Sequence, residues 1–325
     1  MKKALILVAA FFLGLPLVTW LSAQMSLDRS LQHTRATQAL PLFSSGTVDG
    51  LVRIPANGFE FRARIAGFDS DGPALVLLHG FPSTSLKWSH LIERAAAAGY
   101  RVIAYDQRGF SPGARPEEIA AYRVERVAED IFAVADAVGF DEFHLVGHDW
   151  GALVGWFAVG SRPERVLSLT ALSIPHPWAI APPDIPSSHP AYVKVFRQPG
   201  VAEAFLGFGN RWLLHRVVWP PMSDANRAEY EALYSEPGAL EATLGLYRAM
   251  DTNNKPDFKA VTRPVLHLYG RNDMAIFISD KVQSRLSQWV DGELTVKAFD
   301  AGHWLIEERE AEIVEHIMSY LERHR

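Results

Sequence analysis

The chain has 325 residues, 48% of them hydrophobic, enough to bury a sizeable core in one large domain or in one domain carrying an insert. Its 37 acidic and 32 basic residues are spread without a basic stripe and give a net charge of -5, which argues against a nucleic-acid partner. Cysteine is absent and no HExxH, EF-hand or Walker loop occurs, so disulfides, thiolate metal sites and nucleotide cofactors are not expected.

The chain opens with "MKKALILVAAFFLGLPLVTWLSAQ": two lysines, an apolar run over 4–21 interrupted by Pro16, then the small residues Ser22 and Ala23. This is the layout of a signal peptide over residues 1–23, so export to the periplasm or beyond the cell is expected. An uncleaved membrane anchor is the rival reading, because an 18-residue apolar run is just long enough to cross a bilayer. A polar linker follows over 24–45.

Short apolar runs then alternate with helical patterns. "ALVLLH" (74–79), "RVIAY" (101–105), "FHLVG" (143–147), "VLSLTALS" (166–173) and "PVLHLYG" (264–270) predict buried strands, and "LTVKAF" (294–299) a last one. Helices are predicted over 86–98, 124–138 and 149–160, with a closing helix over 304–323. The alternation predicts an α/β fold, a mostly parallel central sheet with helices on both faces. From 176 to 256 prolines, aromatics and helical patches break the rhythm. This stretch is expected to be a mainly helical lid inserted between two core segments, 46–175 and 257–325.

The turn "GHDWG" (147–151) has the G-x-nucleophile-x-G form of a strand-to-helix elbow, with Asp149 in the place serine usually holds. Taken alone, an aspartate there also suits a plain helix N-cap. Three more loops fall at the carboxyl ends of predicted strands, where parallel sheets gather their ligand sites. "HGFP" (79–82) resembles the loop that gives hydrolases their second oxyanion-hole amide, which pairs the N–H groups of Phe81 and Trp150. "GRND" (270–273) offers Asp273 and "AGHW" (301–304) offers His303, and nucleophile, acid, histidine is the order of the α/β-hydrolase fold. Arg108 and His148 read as structural, a paired arginine and a buried, hydrogen-bonded neighbour.

A carboxylate attacking an ester would give a reactive anhydride with little gain. Against a saturated carbon bearing a leaving group it gives an ordinary alkyl ester on the protein. Water activated by His303, itself oriented by Asp273, would then cleave that ester. Epoxide opening and carbon–halogen cleavage are the natural candidates.

Over 46–322 the chain resembles the α/β-hydrolase branch that holds epoxide hydrolases and haloalkane dehalogenases. "HGFP", "GHDWGA" and "GHW" are closer to the epoxide hydrolases; dehalogenases usually carry asparagine where Phe81 stands, and "HDWG" is shared. "YVKVFRQPGVAEA" (192–204) resembles the lid segment Y-F-Q-x-P-G-x-x-E, and "GLYRAM" (245–250) resembles N-W-Y-R-N. The resemblance makes Tyr247 a phenol that hydrogen-bonds the epoxide oxygen. Strict alignment puts Val195 where the first lid tyrosine belongs. Tyr192 lies one helical turn earlier on the same face and would substitute if the lid shifts. The family's D-x-R-G-x-G-x-S loop appears as "DQRGFSPGA" (106–114), and Leu246 replaces a tryptophan; both bear on substrate shape.

An epoxide leaves as a tethered alkoxide that needs a proton, whereas halide departure needs none. The expectation is therefore an epoxide hydrolase that turns a small apolar epoxide and water into a vicinal diol. One alternative is a dehalogenase that holds halide on the Trp150 indole N–H. Another is a non-catalytic binding module on a hydrolase fold, tethered to a membrane by its first residues.

Overall fold

The computed structural model describes residues 36–180, 191–220, 222–250, 256–275 and 278–325. The leader expected over 1–23, and the linker as far as residue 35, lie outside the described residues.

Eight strands form one sheet: β1 (Gly50–Ala56), β2 (Phe59–Ala66), β3 (Ala74–Leu78), β4 (Arg101–Tyr105), β5 (Phe143–His148), β6 (Val166–Leu172), β7 (Val265–Gly270) and β8 (Leu294–Phe299). Their spatial order is β1-β2-β4-β3-β5-β6-β7-β8. All neighbours from β4 to β8 are parallel, and β1–β2 and β2–β4 are antiparallel.

The central strands are buried and mainly apolar because both of their faces are covered, with a few buried polar residues such as His144, Ser168, Thr170 and His267. In β3, Leu75 and Leu77 join one core with Trp88, Leu91 and Ile317, while Val76 and Leu78 join the other with Val127 and Val154. The first core is closed by α1 (Ser89–Ala97), the second by α2 (Val124–Ala137) and α3 (Trp150–Ser161). Between β6 and β7 the described residues form helices and connecting turns: α4 (Ala191–Phe196), α5 (Val201–Leu213), α6 (Asp224–Ser235), α7 (Ala239–Thr243) and α8 (Gly245–Ala249), with shorter helical turns among them. After β7 come α9 (Asp280–Leu286), α10 (Leu305–Glu308) and α11 (Glu310–Arg323).

The structure corrects the sequence reading in three places. The β1–β2 hairpin was not anticipated, although Asn57-Gly58 is a strong hairpin signal; φ is 49° and 77° at these residues, the left-handed pair a tight turn requires. Its alternation places Val52, Ile54, Phe61, Ala63 and Ile65 inward. The first turn of the helix expected over 86–98 is a 3-10 turn, Ser85–Trp88, whose Thr84 hydroxyl accepts from the Leu86 N–H at 3.2 Å. The closing helix breaks at Arg309, where φ is -135°, and the Glu308 carboxylate turns back to accept from the Gly302 N–H at 2.8 Å.

Ion pairs join α6 to the sheet. Glu229 bridges Arg62 at 3.0 Å and Arg64 at 2.6 Å, and Arg62 also holds the buried Asp106 at 2.8 Å. The Tyr230 and Ser83 hydroxyls meet at 2.6 Å, and Arg115 pairs with Glu236.

Arg108 takes the structural place expected of it. Its Nε and Nη2 donate to the two oxygens of Asp130 at 2.8 and 2.6 Å, and its guanidinium stacks 4.6 Å over the Phe59 ring. Both partners are buried, so removing one leaves the other charge without compensation. Arg108→Met should lower stability by about 3–5 kcal/mol, read from the urea unfolding midpoint, and adding Asp130→Leu should recover much of that loss.

Candidate active site

The elbow between β5 and α3 is strained. Asp149 has φ 54° and ψ -121°, a conformation L-residues with a side chain rarely hold. The flanking glycines are a packing requirement: a Cβ at Gly147 would stand 2.4 Å from the Gly151 carbonyl oxygen, and one at Gly151 2.3 Å from that of Leu78. Asp149 stands at the N-cap position, yet its side chain makes no cap hydrogen bond. Its Oδ1 accepts instead from the Phe81 N–H at 2.8 Å, and the Trp150 N–H also bonds the carboxylate. The plain capping role is thereby set aside.

The loops after β7 and β8 close on this carboxylate from the other side. The Arg271 and Asn272 N–H groups donate to the Phe299 and Ala301 carbonyls at 2.9 and 3.0 Å, tying the two loops together. Asp273 Oδ1 accepts from the Ala275 N–H at 2.8 Å, and Oδ2 accepts from His303 Nδ1 at 2.8 Å. That fixes the proton on Nδ1 and leaves Nε2 facing Asp149 Oδ2 at 3.6 Å.

The helices between β6 and β7 cover the carboxylate with aromatic rings. Tyr247 on α8 packs edge-on against Trp150 at 4.9 Å and Phe81 at 5.5 Å, and Phe196 on α4 contacts both Tyr247 and Phe81. Tyr192 on α4 sits 6.4 Å from Tyr247, ring to ring. Val195, where the family places its tyrosine, packs half-buried against the core. The structure therefore brings Tyr192 and Tyr247 together, each close enough to feel the charge of Asp149.

The electrostatics follow from burial. Loss of water raises the Asp149 carboxyl above its ordinary value, opposed by His303, the Trp150 and Phe81 N–H groups and Lys87. Burial works against charge on His303, but the hydrogen bond and charge of Asp273, with the charge of Asp149, outweigh it and raise the imidazole. Burial, then the charge of Asp149, pushes the Tyr247 phenol well above 10, and the same causes, with Asp273 added, push Tyr192 up. Both phenols stay protonated and can donate hydrogen bonds.

One neighbour was missed in the sequence. Lys87 is buried, and its Nζ donates to His148 Nδ1 at 2.8 Å, within 3.4 Å of Glu307 and above the rings of Trp88 and Trp304. Burial lowers the His148 pKa well below 6.5, so the ring is neutral and its Nε2–H donates to the His303 carbonyl at 2.9 Å. The lone lysine in "STSLKWSH" gives no sign of this, because only the fold turns it inward.

A strained carboxylate bonded by two backbone N–H groups, with an oriented imidazole facing its Oδ2 and two phenols close by, is equipped for displacement at carbon followed by ester hydrolysis. Comparisons with known proteins agree with this geometry. A family model described as alpha/beta hydrolase fold matches residues 73–310. AB hydrolase superfamily protein YfhM of Bacillus subtilis is 31% identical over 282 residues, 82% of this chain and 96% of its own. Epoxide hydrolase A of Mycobacterium tuberculosis is 30% identical over 311 residues, again 82% of this chain and 96% of its own. The crystal structure of epoxide hydrolase A from Mycobacterium thermoresistibile superimposes with a TM-score of 0.69 at 26% identity, covering 85% of this chain and 98% of that one. With the sheet order, the elbow and these matches all in agreement, the chain belongs to the alpha/beta hydrolase fold family.

Proposed function

We propose that the protein is an epoxide hydrolase, with Asp149 as nucleophile, His303 as base, Asp273 as its orienting acid, Tyr247 and Tyr192 as donors to the epoxide oxygen, and the Phe81 and Trp150 N–H groups as oxyanion hole. The observation that carries this reading is the pair of protonated phenols held close to one buried carboxylate.

In the first step Asp149 Oδ2 attacks an epoxide carbon and the C–O bond breaks. The departing oxygen takes a proton from a tyrosine, leaving a hydroxyalkyl ester on Asp149. In the second, water loses a proton to His303 Nε2 and adds to the ester carbonyl, whose Oδ1 becomes an oxyanion held by the two N–H groups. Collapse expels the diol oxygen, which takes the proton back from His303, and the water's second proton, left on the regenerated Asp149 carboxyl, passes to the phenolate, restoring both carboxylate and tyrosine.

Relatives named epoxide hydrolase support the assignment. The halide alternative is disfavoured because the Trp150 side chain already hydrogen-bonds Tyr247. The intact set of Asp149, Asp273 and His303 weighs against a pure binding role. The helices over 191–250 act as the lid, and the first residues export or tether the chain.

The test offers the protein styrene oxide and 1-bromobutane in parallel. Diol should form from the first without bromide from the second, and Asp149→Asn should cut diol formation at least about 10³-fold. Bromide release without diol would reject the assignment.

A further inference from the structure

Among the described residues between β6 and β7, the exposed large hydrophobic side chains stand on one helix. Val201, Phe205, Phe208 and Trp212 on α5 are 56%, 52%, 78% and 56% exposed, far above what apolar side chains of this size usually show. Val201, Phe205 and Phe208, spaced by four and three residues, form a single stripe along one face, and Trp212 stands exposed at the end of the helix, just beyond Arg211, whose φ of 63° departs from the helical path. The opposite face is filled in the ordinary way, with Ala202 and Leu206 fully buried. α5 follows directly on α4, whose Tyr192 and Phe196 roof Asp149, so the stripe lies on the outer side of the site's cover.

The exposed charges in the stretch that carries the stripe have one sign. Among the described residues from 191 to 220, the exposed charged side chains are Lys194 and Arg216 and none is acidic, in a chain whose net charge is -5. Glu203, the acid within α5, is half-buried and bonded to Arg248 at 2.6 Å. We infer that the outer face of α5 docks on an anionic phospholipid surface, its aromatic stripe entering the headgroup boundary and Lys194 and Arg216 meeting the lipid phosphates.

A helix with tryptophan and phenylalanine on one face and basic residues alongside is built to lie in such an interface. A second copy of the chain fits less well. A helix this size is about 20 Å long, and a stripe about 10 Å wide offers about 200 Å², against about 800 Å² per partner in a stable dimer. Two such faces would also bring like charges together.

The test adds the full chain to vesicles of phosphatidylcholine and phosphatidylglycerol carrying brominated acyl chains. Tryptophan emission should be quenched, and the difference between the natural chain and Trp212→Phe should show that Trp212 contributes. Phe205→Ser/Phe208→Ser/Trp212→Ser should bind the vesicles at least about tenfold more weakly while keeping its activity on a water-soluble epoxide. Pure phosphatidylcholine should bind both proteins more weakly than the mixture.

Three results would overturn the inference. One is binding without any quenching assignable to Trp212. Another is a lipid-free dimer that the triple variant abolishes. The third is Trp212 emission already blue-shifted in buffer and unchanged by vesicles, as expected if the chain's own first residues cover the stripe. Lipid binding is read without turnover, so its failure is separate from a failure of the diol-forming activity.

Discussion

Replacing His303 with glutamine should leave the first half of the reaction running and stop the second. Intact-protein mass spectrometry should show the chain heavier by one epoxide within a single turnover, with the added mass on the peptide containing Asp149. Steady diol formation should fall by about 10³-fold or more, because an ester left to unassisted water in a closed pocket is long-lived. The geometry separates the steps: Oδ1 is held by the Phe81 N–H at 2.8 Å whether or not an imidazole is present, while His303 Nε2 faces Oδ2 at 3.6 Å. Diol still formed with no mass gain would mean that water opens the epoxide directly and that Asp149 is not the attacking group.

Tyr247→Phe should slow ring opening by about 10²-fold, and Tyr192→Phe by about tenfold, with the double variant losing more than either. The phenyl ring of Tyr247→Phe remains packed against Trp150 and Phe81, so the fold should persist, with a loss of about 1–3 kcal/mol for the hydrogen bond that the Trp150 side chain gives up. Ester formation and ester hydrolysis can be timed separately in quenched mixtures, and only the first should respond. Unchanged kcat/KM in the double variant would remove the phenols from the reaction and return the halide chemistry to consideration.

The core strands were legible because burial on both faces leaves a mainly apolar run, uninterrupted in "ALVLL" and broken by Ser168 and Thr170 in "VLSLTAL", and β4 and β8 match their expected limits residue for residue. The hairpin that precedes them was missed because its strands carry arginines at 53, 62 and 64. Glu60 pairs with Arg53 across the hairpin, but Arg62 and Arg64 are neutralised by Asp106 and Glu229 from distant segments, partners that no local pattern announces. The meeting of Asp149, Asp273 and His303 could be expected because each ends or follows a readable strand. Tyr192 could not be placed from sequence, since its approach depends on how α4 sits over the elbow, which is decided by packing of Phe196 against Phe81 and Tyr247. Lys87 was hidden for the same reason, its burial being settled by Trp88, Trp304 and His148 from separate segments.

That buried ammonium has a bearing on the acidity range in which the pocket can operate. Asp273 and Asp149 together favour a proton on His303, while Lys87 opposes it. A general base serves only while unprotonated, so the cation extends useful hydrolysis toward the acidic side. With a neutral residue at position 87 the imidazole would keep its proton further into alkali. Burial also makes Lys87 itself easier to discharge than a solvated lysine, so the same brake weakens as the medium turns basic, where it is no longer needed.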